Sequence, residues 1–405
     1  MNLLFVSIAF PPKSDPECLQ AAKYYKYLKE ERLLKVEVVT SKVPTLFMPV
    51  DESLRSFDFG FSNKVEVPVY ETKITNFFLR KVVPEGIDWP DSKFTFHLQS
   101  EKIIKLLKFK PDIIYSRSYP LSSTILAFKL HKYFQVPWIL HLSDPWSISP
   151  IHNYTLKQSR YHSTLEHECF NAAYKICLTS EKLIENYKKK YKQFEDKFEY
   201  FPNVYDKEDI SDNIFSWGNK LRIIYTGGLA GARGPDAFFK ALLHLETQVI
   251  NLEEKLEIIF AGPTDRENKK KIDAFQSRVG YFKHVGVLSY TQCLELQKEA
   301  HILLVIDNPI KHPHDAVFFP SKILDYLLAK RKIIAITTPG GTTNLVLNSL
   351  RGDVYSFENC EGLVNGLLLA LKAYERKDLK YFLVEEISPV FEASFNVERL
   401  KKLFI

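Results

Sequence analysis

Two stretches in the second half of the chain combine the residue types that hold a phosphate. The first is Tyr225-Thr226-Gly227-Gly228-Leu229-Ala230-Gly231-Ala232-Arg233-Gly234-Pro235, an apolar strand pattern running into a glycine-rich turn and then a helical pattern. Glycines let backbone N–H groups approach an anion, and Arg233 adds a forked cation. The plain alternative is an ordinary glycine connection. The second is Phe318-Phe319-Pro320-Ser321-Lys322-Ile323-Leu324-Asp325-Tyr326. Ser321 is read as an N-cap, the helix start it opens would attract a diphosphate, and Lys322 adds positive charge there. Asp325 follows one turn later, where a carboxylate can accept hydrogen bonds from ribose hydroxyls. The plain alternative is a capped helix with Lys322 and Asp325 paired on its surface.

Further candidates stand at strand ends in the first half. Ile139-Leu140-His141-Leu142-Ser143-Asp144-Pro145-Trp146 places Asp144 just after an apolar run, suited to a polar role or to a simple Asp-Pro turn. Arg117 follows the run Asp112–Ser116 and is expected as a cation at the sheet edge. His141 sits mid-strand and reads as core. His312, His314 and Asp315 crowd one loop, yet the strong zinc spacings are absent, as is an Asp-x-Asp at a strand end. No metal is expected; sugar hydrogen bonding or a solvated loop fits better. No G-x-S-x-G, Walker lysine loop or G-x-G-x-x-G after the first strand occurs, which argues against a hydrolase, a P-loop enzyme and a standard dinucleotide binder.

These residues need strands to carry them and helices to space the strands. In the first half, runs at 3–10, 35–40, 65–69, 112–116, 138–142, 175–179 and 197–201 read as strands. Helical patterns at 16–31, 74–83, 92–108, 122–133, 156–173 and 181–191 separate them, the first opened by Asp15-Pro16. The second half repeats the rhythm, with strands at 221–226, 256–261, 282–285, 302–306, 333–336 and 353–356. Helices are expected at 235–245, 266–279, 290–299, 321–328 and 361–373, and over the tail from 388. Strands alternating with helices require parallel crossovers, hence doubly wound sheets. Residues 203–219 are polar and aperiodic and read as the linker. In such sheets ligands bind beyond the carboxyl ends of the strands, so two sheets would face each other across a cleft.

The chain's 405 residues suit two domains, and 45% hydrophobic with 26% charged residues is ordinary globular composition. The five cysteines are odd in number with no C-x-x-C pair, which points away from a disulfide framework and towards a reducing compartment. The opening Met1-Asn2-Leu3-Leu4-Phe5-Val6 reads as a buried strand rather than a secretory leader, and no window of about 18 apolar residues suggests a membrane span. The formal charge is +6, and residues 1–200 carry all of the surplus. A basic half can rest on an anionic membrane surface; a solvated lysine-rich face is the bland reading. Scattered basic residues without a stacking-aromatic or helix-turn-helix signature speak against nucleic acid.

In this order and spacing the chain resembles the GT-B-fold retaining glycosyltransferases of family four. The resemblance runs through Phe5-Val6-Ser7-Ile8-Ala9-Phe10-Pro11-Pro12, Ile176-Cys177-Leu178-Thr179-Ser180 and Phe201-Pro202-Asn203-Val204-Tyr205-Asp206. It continues in Ile224–Leu229 with Arg233-Gly234, in Phe260-Ala261-Gly262-Pro263 and Val285-Gly286-Val287, and ends in Pro320–Leu328. It implies an α/β architecture of two Rossmann-like domains facing a cleft. Residues 1–205, with a C-terminal helix over 388–405 returning to them, would hold the acceptor, and residues 206–387 the nucleotide sugar. Gly227, Gly228, Arg233, Gly262, Val287, Asp315, Pro320, Ser321, Lys322 and Asp325 are then the expected donor contacts. Lys13, Ser14, Arg117 and Asp144 are the expected acceptor contacts, and Asp144, Arg233 and Lys322 the catalytic residues. The chain departs from the family pattern at Val317, where the first glutamate of the family's acidic pair would fall, and at Asp325, an aspartate in place of the second. Gly228 replaces a basic residue, and Lys13-Ser14-Asp15 follows Pro11-Pro12 where twin glycines are usual.

The expected activity is retaining, metal-independent transfer from a UDP- or GDP-linked sugar to a glycan or lipid-linked acceptor in cell-surface polysaccharide or glycoconjugate assembly. No cofactor beyond the donor is expected. The expected place is the cytoplasm or the cytoplasmic face of a membrane. A sugar-nucleotide epimerase and a non-catalytic nucleotide-sugar-binding protein are the alternatives.

Overall fold

Strands buried on both faces must be apolar along their whole length, and this is how the first strand is built. In β1 (Asn2–Val6), Leu3, Leu4, Phe5 and Val6 are all fully buried. The computed structural model describes residues 1–43, 45, 48–57, 63–74, 77, 90–209, 215–350, 352–384 and 388–404. Most of the helical segment expected over 74–83 (75, 76 and 78–83) and part of the expected linker, 210–214, lie outside the described residues. The chain divides into two compact units, residues 1–206 with 390–405, and residues 207–389.

In the first unit β1 leads to α1 (Pro16–Lys29), β2 (Lys35–Ser41), β3 (Lys64–Val67), α2 (Ser100–Leu106) and β4 (Ile113–Ser118). Then come α3 (Ser122–Phe134), β5 (Trp138–Leu142), α4 (Leu156–Ala172), β6 (Lys175–Leu178), α5 (Glu181–Lys190) and β7 (Phe198–Tyr200). The seven strands are parallel in the order β3-β2-β1-β4-β5-β6-β7. Asp15 caps α1 by accepting from Glu17 N, with Pro16 at the first helical position. The helix buries Ala21, Tyr24, Tyr25 and Leu28 against Leu3, Phe5 and Val38, and against Ala393, Val397 and Leu400 of the C-terminal helix Ala393–Lys401. That last helix also donates from Arg399 Nη2 to Tyr200 O at 2.8 Å, so the tail is part of the first unit.

The second unit runs β8 (Leu221–Thr226), α6 (Asp236–Glu246), α7 (Leu252–Lys255), β9 (Leu256–Ala261), α8 (Arg266–Arg278), β10 (Phe282–His284) and α9 (Tyr290–Lys298). It continues with β11 (Ile302–Ile306), α10 (Lys322–Leu328), β12 (Lys332–Ile336), α11 (Thr342–Ser349), β13 (Asp353–Tyr355), α12 (Cys360–Glu375) and α13 (Leu379–Phe382). Its six strands are parallel in the order β10-β9-β8-β11-β12-β13. Phe239 stacks on Phe275 with ring centroids 4.0 Å apart in the core beneath β9 and β10. In each sheet the order reverses beside the first strand of the unit, and at such a switch point the connections diverge and leave a crevice. No described helix is long and apolar enough to cross a membrane.

Candidate functional site

The backbone at the carboxyl end of the second sheet explains its glycines. Gly227 N donates to Ala261 O and Gly262 N to Gly286 O, both at 2.8 Å, so three strand ends are laced in steps. Gly227 and Gly262 have φ of +143° and +138°, which L side chains rarely adopt. A Cβ on Gly262 would lie 2.2 Å from Gly227 O, and one on Gly227 would lie 2.5 Å from Lys322 Nζ. At Gly262 the backbone already fills the space; at Gly227 the positive φ demands glycine, and the Lys322 ammonium uses the room its missing side chain leaves. The turn beyond is tied down in turn. Tyr225 Oη donates to Gly228 O at 2.9 Å, Leu229 N to Pro263 O at 3.0 Å, and Asn268 Nδ2 to Arg233 O at 3.2 Å. Asp265 caps α8 and accepts from Gly231 N at 2.7 Å; the backbone donors Asn268 and Gly231 hold its carboxyl below the usual range.

Two cations meet on this frame. Tyr326 Oη accepts from Thr226 N at 3.0 Å and lies 3.2 Å from Leu304 O, fastening α10 to β8 and β11. One turn back, half-buried Lys322 sits with Nζ 4.2 Å from the centre of the Tyr225 ring and donates to Tyr225 Oη at 3.1 Å. Burial first, and then the Arg233 guanidinium, lower its pKa to about 7, while the Asp307 carboxylate acts the other way. Arg233 is half-buried, and its Nε is buried with no hydrogen-bond partner. Asp307 follows β11 and accepts from Thr337 Oγ1 at 2.8 Å. Burial raises its pKa against bonds from Thr343 and Thr337 and the pull of both cations. A narrow recess of about 10 Å³, room for about one water molecule, is lined by Arg233, Asp307, Asn308, Phe318, Thr337 and Thr342 among others. Two cations sharing one carboxylate, one with an orphaned donor, form a site that an anion would complete.

Gly227, Gly228, Arg233, Gly262 and Lys322 belong to this frame. Val287, 71% exposed, lies on the loop that leaves Gly286. Pro320 and Ser321 open α10, but Ser321 differs from expectation: it makes no side-chain capping bond. Its backbone is already helical (φ −60°, ψ −25°), outside the extended geometry from which a cap hydroxyl reaches back. The first turn closes instead through Ile323 N to Pro320 O at 3.1 Å. Asp325 does not face Lys322 as a surface pair; its Oδ1 accepts from Tyr290 Oη at 3.2 Å. Asp315 lies on the loop 3.3 Å from His314 Nε2, and the His312 and His314 rings stack 5.5 Å apart. Among the described residues no group of three or more His, Cys, Asp or Glu side chains is placed to hold a metal ion.

The first unit corrects two expectations. Lys13 is 1% exposed, and its Nζ donates to Ser41 O at 2.8 Å and to Thr40 Oγ1 at 3.2 Å, with burial lowering its pKa to about 8. Arg117 is fully buried, because β4 runs to Ser118 and carries Arg117 inside the sheet rather than to its edge. Its Nε donates to Glu17 Oε1 at 2.7 Å, its Nη1 lies 3.1 Å from His141 Nδ1, and its guanidinium stacks on Tyr24. Both cations are buried and held by groups of the protein itself, not presented at a sheet edge as expected. Ser14 is half-buried and donates from its backbone to Pro49 O at 2.7 Å. Half-buried Asp144 follows β5, on a segment held by its neighbours. Thr179 Oγ1 donates to Ser143 O at 2.6 Å, Trp146 N to Tyr187 Oη at 2.8 Å and Ser147 N to buried Glu166 at 3.0 Å.

No family model and no curated protein matches this chain in sequence. Solved structures do match it. Sucrose-phosphate synthase from Thermosynechococcus elongatus superposes with a TM-score of 0.65 at 12% identity, over 100% of this chain and 98% of that one. HepE from Anabaena, in complex with UDP and glucose, gives 0.61 at 12% identity over 99% and 98%. A Listeria monocytogenes protein assigned as a UDP-N-acetylglucosamine 2-epimerase gives 0.60 at 11% identity over 99% and 94%. What this likeness establishes is the fold: the chain has the GT-B architecture, with two Rossmann-like units covering nearly its whole length.

Proposed function

We propose that this protein is a glycosyltransferase that binds the diphosphate of a nucleotide sugar between Arg233 and Lys322. The observation that carries the reading is the pair of cations at the switch point of the second sheet, with the half-buried Asp307 carboxylate attracted to both and one guanidinium donor unpaired. When the glycosidic bond to the diphosphate breaks, negative charge grows on the departing phosphate. Fixed cations held by Tyr225, Tyr326 and the glycine turn stabilise that charge without reorganising. This supplies the role that a divalent metal would otherwise fill. Gly227, Gly228, Gly262 and the loop at Val287 bring backbone to the nucleotide, and Asp325 meets the ribose.

The finer reading is retaining transfer, UDP- or GDP-linked, to a glycan or lipid-linked acceptor held by the first unit. Asp144, on its braced segment, positions the acceptor hydroxyl. The basic surplus of residues 1–200, with exposed Tyr70, Ile74 and Phe77 around Lys73, suits an acceptor presented at an anionic membrane surface. Residues 75, 76 and 78–89 of the stretch 70–110 that would make this contact lie outside the described residues. Acceptor-dependent release of UDP or GDP tests the reaction. Arg233→Ala is expected to cut turnover at least tenfold, and unchanged turnover refutes its role.

The epimerase reading draws on the Listeria neighbour and on the His314–Asp315 pair. Product analysis without an acceptor separates the two, since an epimerase changes the sugar and leaves the nucleotide attached. Binding without any turnover would favour a non-catalytic role.

A further inference from the structure

A carboxylate beside a diphosphate site is electrostatically unfavourable unless it has work of its own, and Asp307 stands there. It lies among neutral hydrogen-bonding groups: Asn308, Thr337, Thr338 and Thr342 line the same recess, with Arg233 on its wall. Thr342 is 6% exposed, and its Oγ1 is buried without a hydrogen-bond partner. An orphaned hydroxyl in a recess marks a place that a polar ligand completes. That ligand is not a second phosphate, because the carboxylate would repel it. It is a group rich in hydroxyls, which donate to a carboxylate and exchange bonds with threonine and asparagine. The recess shares Arg233 with the cation pair, so the group entering it is the one esterified to the diphosphate.

Resting on the reading of Arg233 and Lys322 as a diphosphate site, we infer that Asp307 and Thr342 receive a hydroxyl of the donor's sugar in this narrow recess and so set sugar specificity. Asp307 takes the part that Val317, apolar and 2% exposed, cannot play, and that Asp315, paired with His314, does not reach from this recess. Thr342 opens α11 just after Gly341, a glycine held close against Ala316 of the recess wall: a Cβ there would lie 2.7 Å from Ala316 Cβ.

The test is titration calorimetry of the full chain with UDP, GDP, UDP-glucose, UDP-N-acetylglucosamine and GDP-mannose, for the natural protein, Asp307→Asn and Thr342→Val. The quantity read is the affinity for a nucleotide sugar divided by that for its parent diphosphate. Asp307→Asn is expected to lower this ratio about tenfold or more; the ratio removes any change in diphosphate affinity that comes from losing a charge beside Lys322 and Arg233. Thr342→Val is expected to lower the ratio several-fold with no loss of melting temperature, because the removed hydroxyl has no partner in the empty protein. If Asp307→Asn does not fold, Thr342→Val decides alone. A ratio unchanged in the folded variants overturns the inference and leaves Asp307 a counter-ion. A natural protein that binds no diphosphate overturns the parent reading, and this one with it.

Discussion

Replacing Lys322 with methionine should abolish a proton uptake that accompanies nucleotide binding. In the empty site the ammonium's pKa is about 7, because it is buried beside Arg233. A phosphate about 4 Å away, at an effective dielectric of about 20, attracts it by about 4 kcal/mol, roughly a thousandfold in proton affinity, and returns it to its ordinary range. Binding therefore takes up about 0.9 proton at pH 8, where about nine in ten empty sites lack it. The sign follows: proton affinity is higher in the complex, so binding is at full strength below pH 7 and weakens above it. Between pH 7.5 and 8.5 the affinity for UDP or GDP should fall about eightfold, while a diphosphate with a second pKa near 6 hardly changes its own charge. Calorimetry in two buffers of different ionisation heat reads the proton count directly. In Lys322→Met the uptake and the slope should both vanish. Equal uptake in both proteins, or none in the natural one at pH 8, refutes the reasoning. The empty proteins give a second check. Between pH 7 and the ordinary lysine range the unfolded chain binds more protons than the folded one, so the natural protein gains stability as pH rises through that window. Lys322→Met should therefore melt higher than the natural protein at pH 7, with the gap closing towards pH 10.

Gly262→Ala should destabilise the second unit by about 1–3 kcal/mol and abolish nucleotide binding, because its Cβ would collide with the Gly227 carbonyl at a positive φ; urea unfolding and calorimetry check this, and a well-folded, binding variant would contradict it. Arg117→Met should cost about 3–5 kcal/mol by leaving Glu17 buried and unpaired, yet leave nucleotide affinity unchanged. A loss of acceptor recognition in a fully stable Arg117→Met protein would reinstate the contact role withdrawn above. Truncation after residue 388 should lower the melting temperature of the first unit, because it bares the face of α1 that Val397 and Leu400 cover. An unchanged melt would deny the tail its place in that core.

The strands were legible because a parallel sheet covered on both faces writes itself as short, wholly apolar runs. β5, β8, β9 and β11 keep the bounds read from the sequence. The same property hid chemistry at their ends. Asp307 follows Val305-Ile306 and precedes Asn308-Pro309, and nothing in a run of turn-forming residues separates a loop start from a ligand-facing carboxylate. Helix α11 was missed although Pro339-Gly340-Gly341-Thr342 after β12 repeats, in short form, the strand, glycine turn and helix at Gly227. Its eight residues fall below the length at which a helical period stands out. Lys13 and Arg117 failed differently. A charge near a strand end reads as exposed, and only its partners, the Ser41 carbonyl for one and the Glu17 carboxylate for the other, show it to be buried. These partners lie 28 and 100 residues away in sequence, beyond any local pattern. Ser321 shows that residue type alone does not make a cap, since the backbone must first be extended.

A crystal structure of the full chain with UDP or GDP bound bears most directly on the central claim. The diphosphate is expected at the carboxyl end of β8, with one phosphate oxygen about 3 Å from Lys322 Nζ and another accepting from the Arg233 guanidinium. A nucleotide seated elsewhere, with those two side chains unmoved and bare, would contradict it.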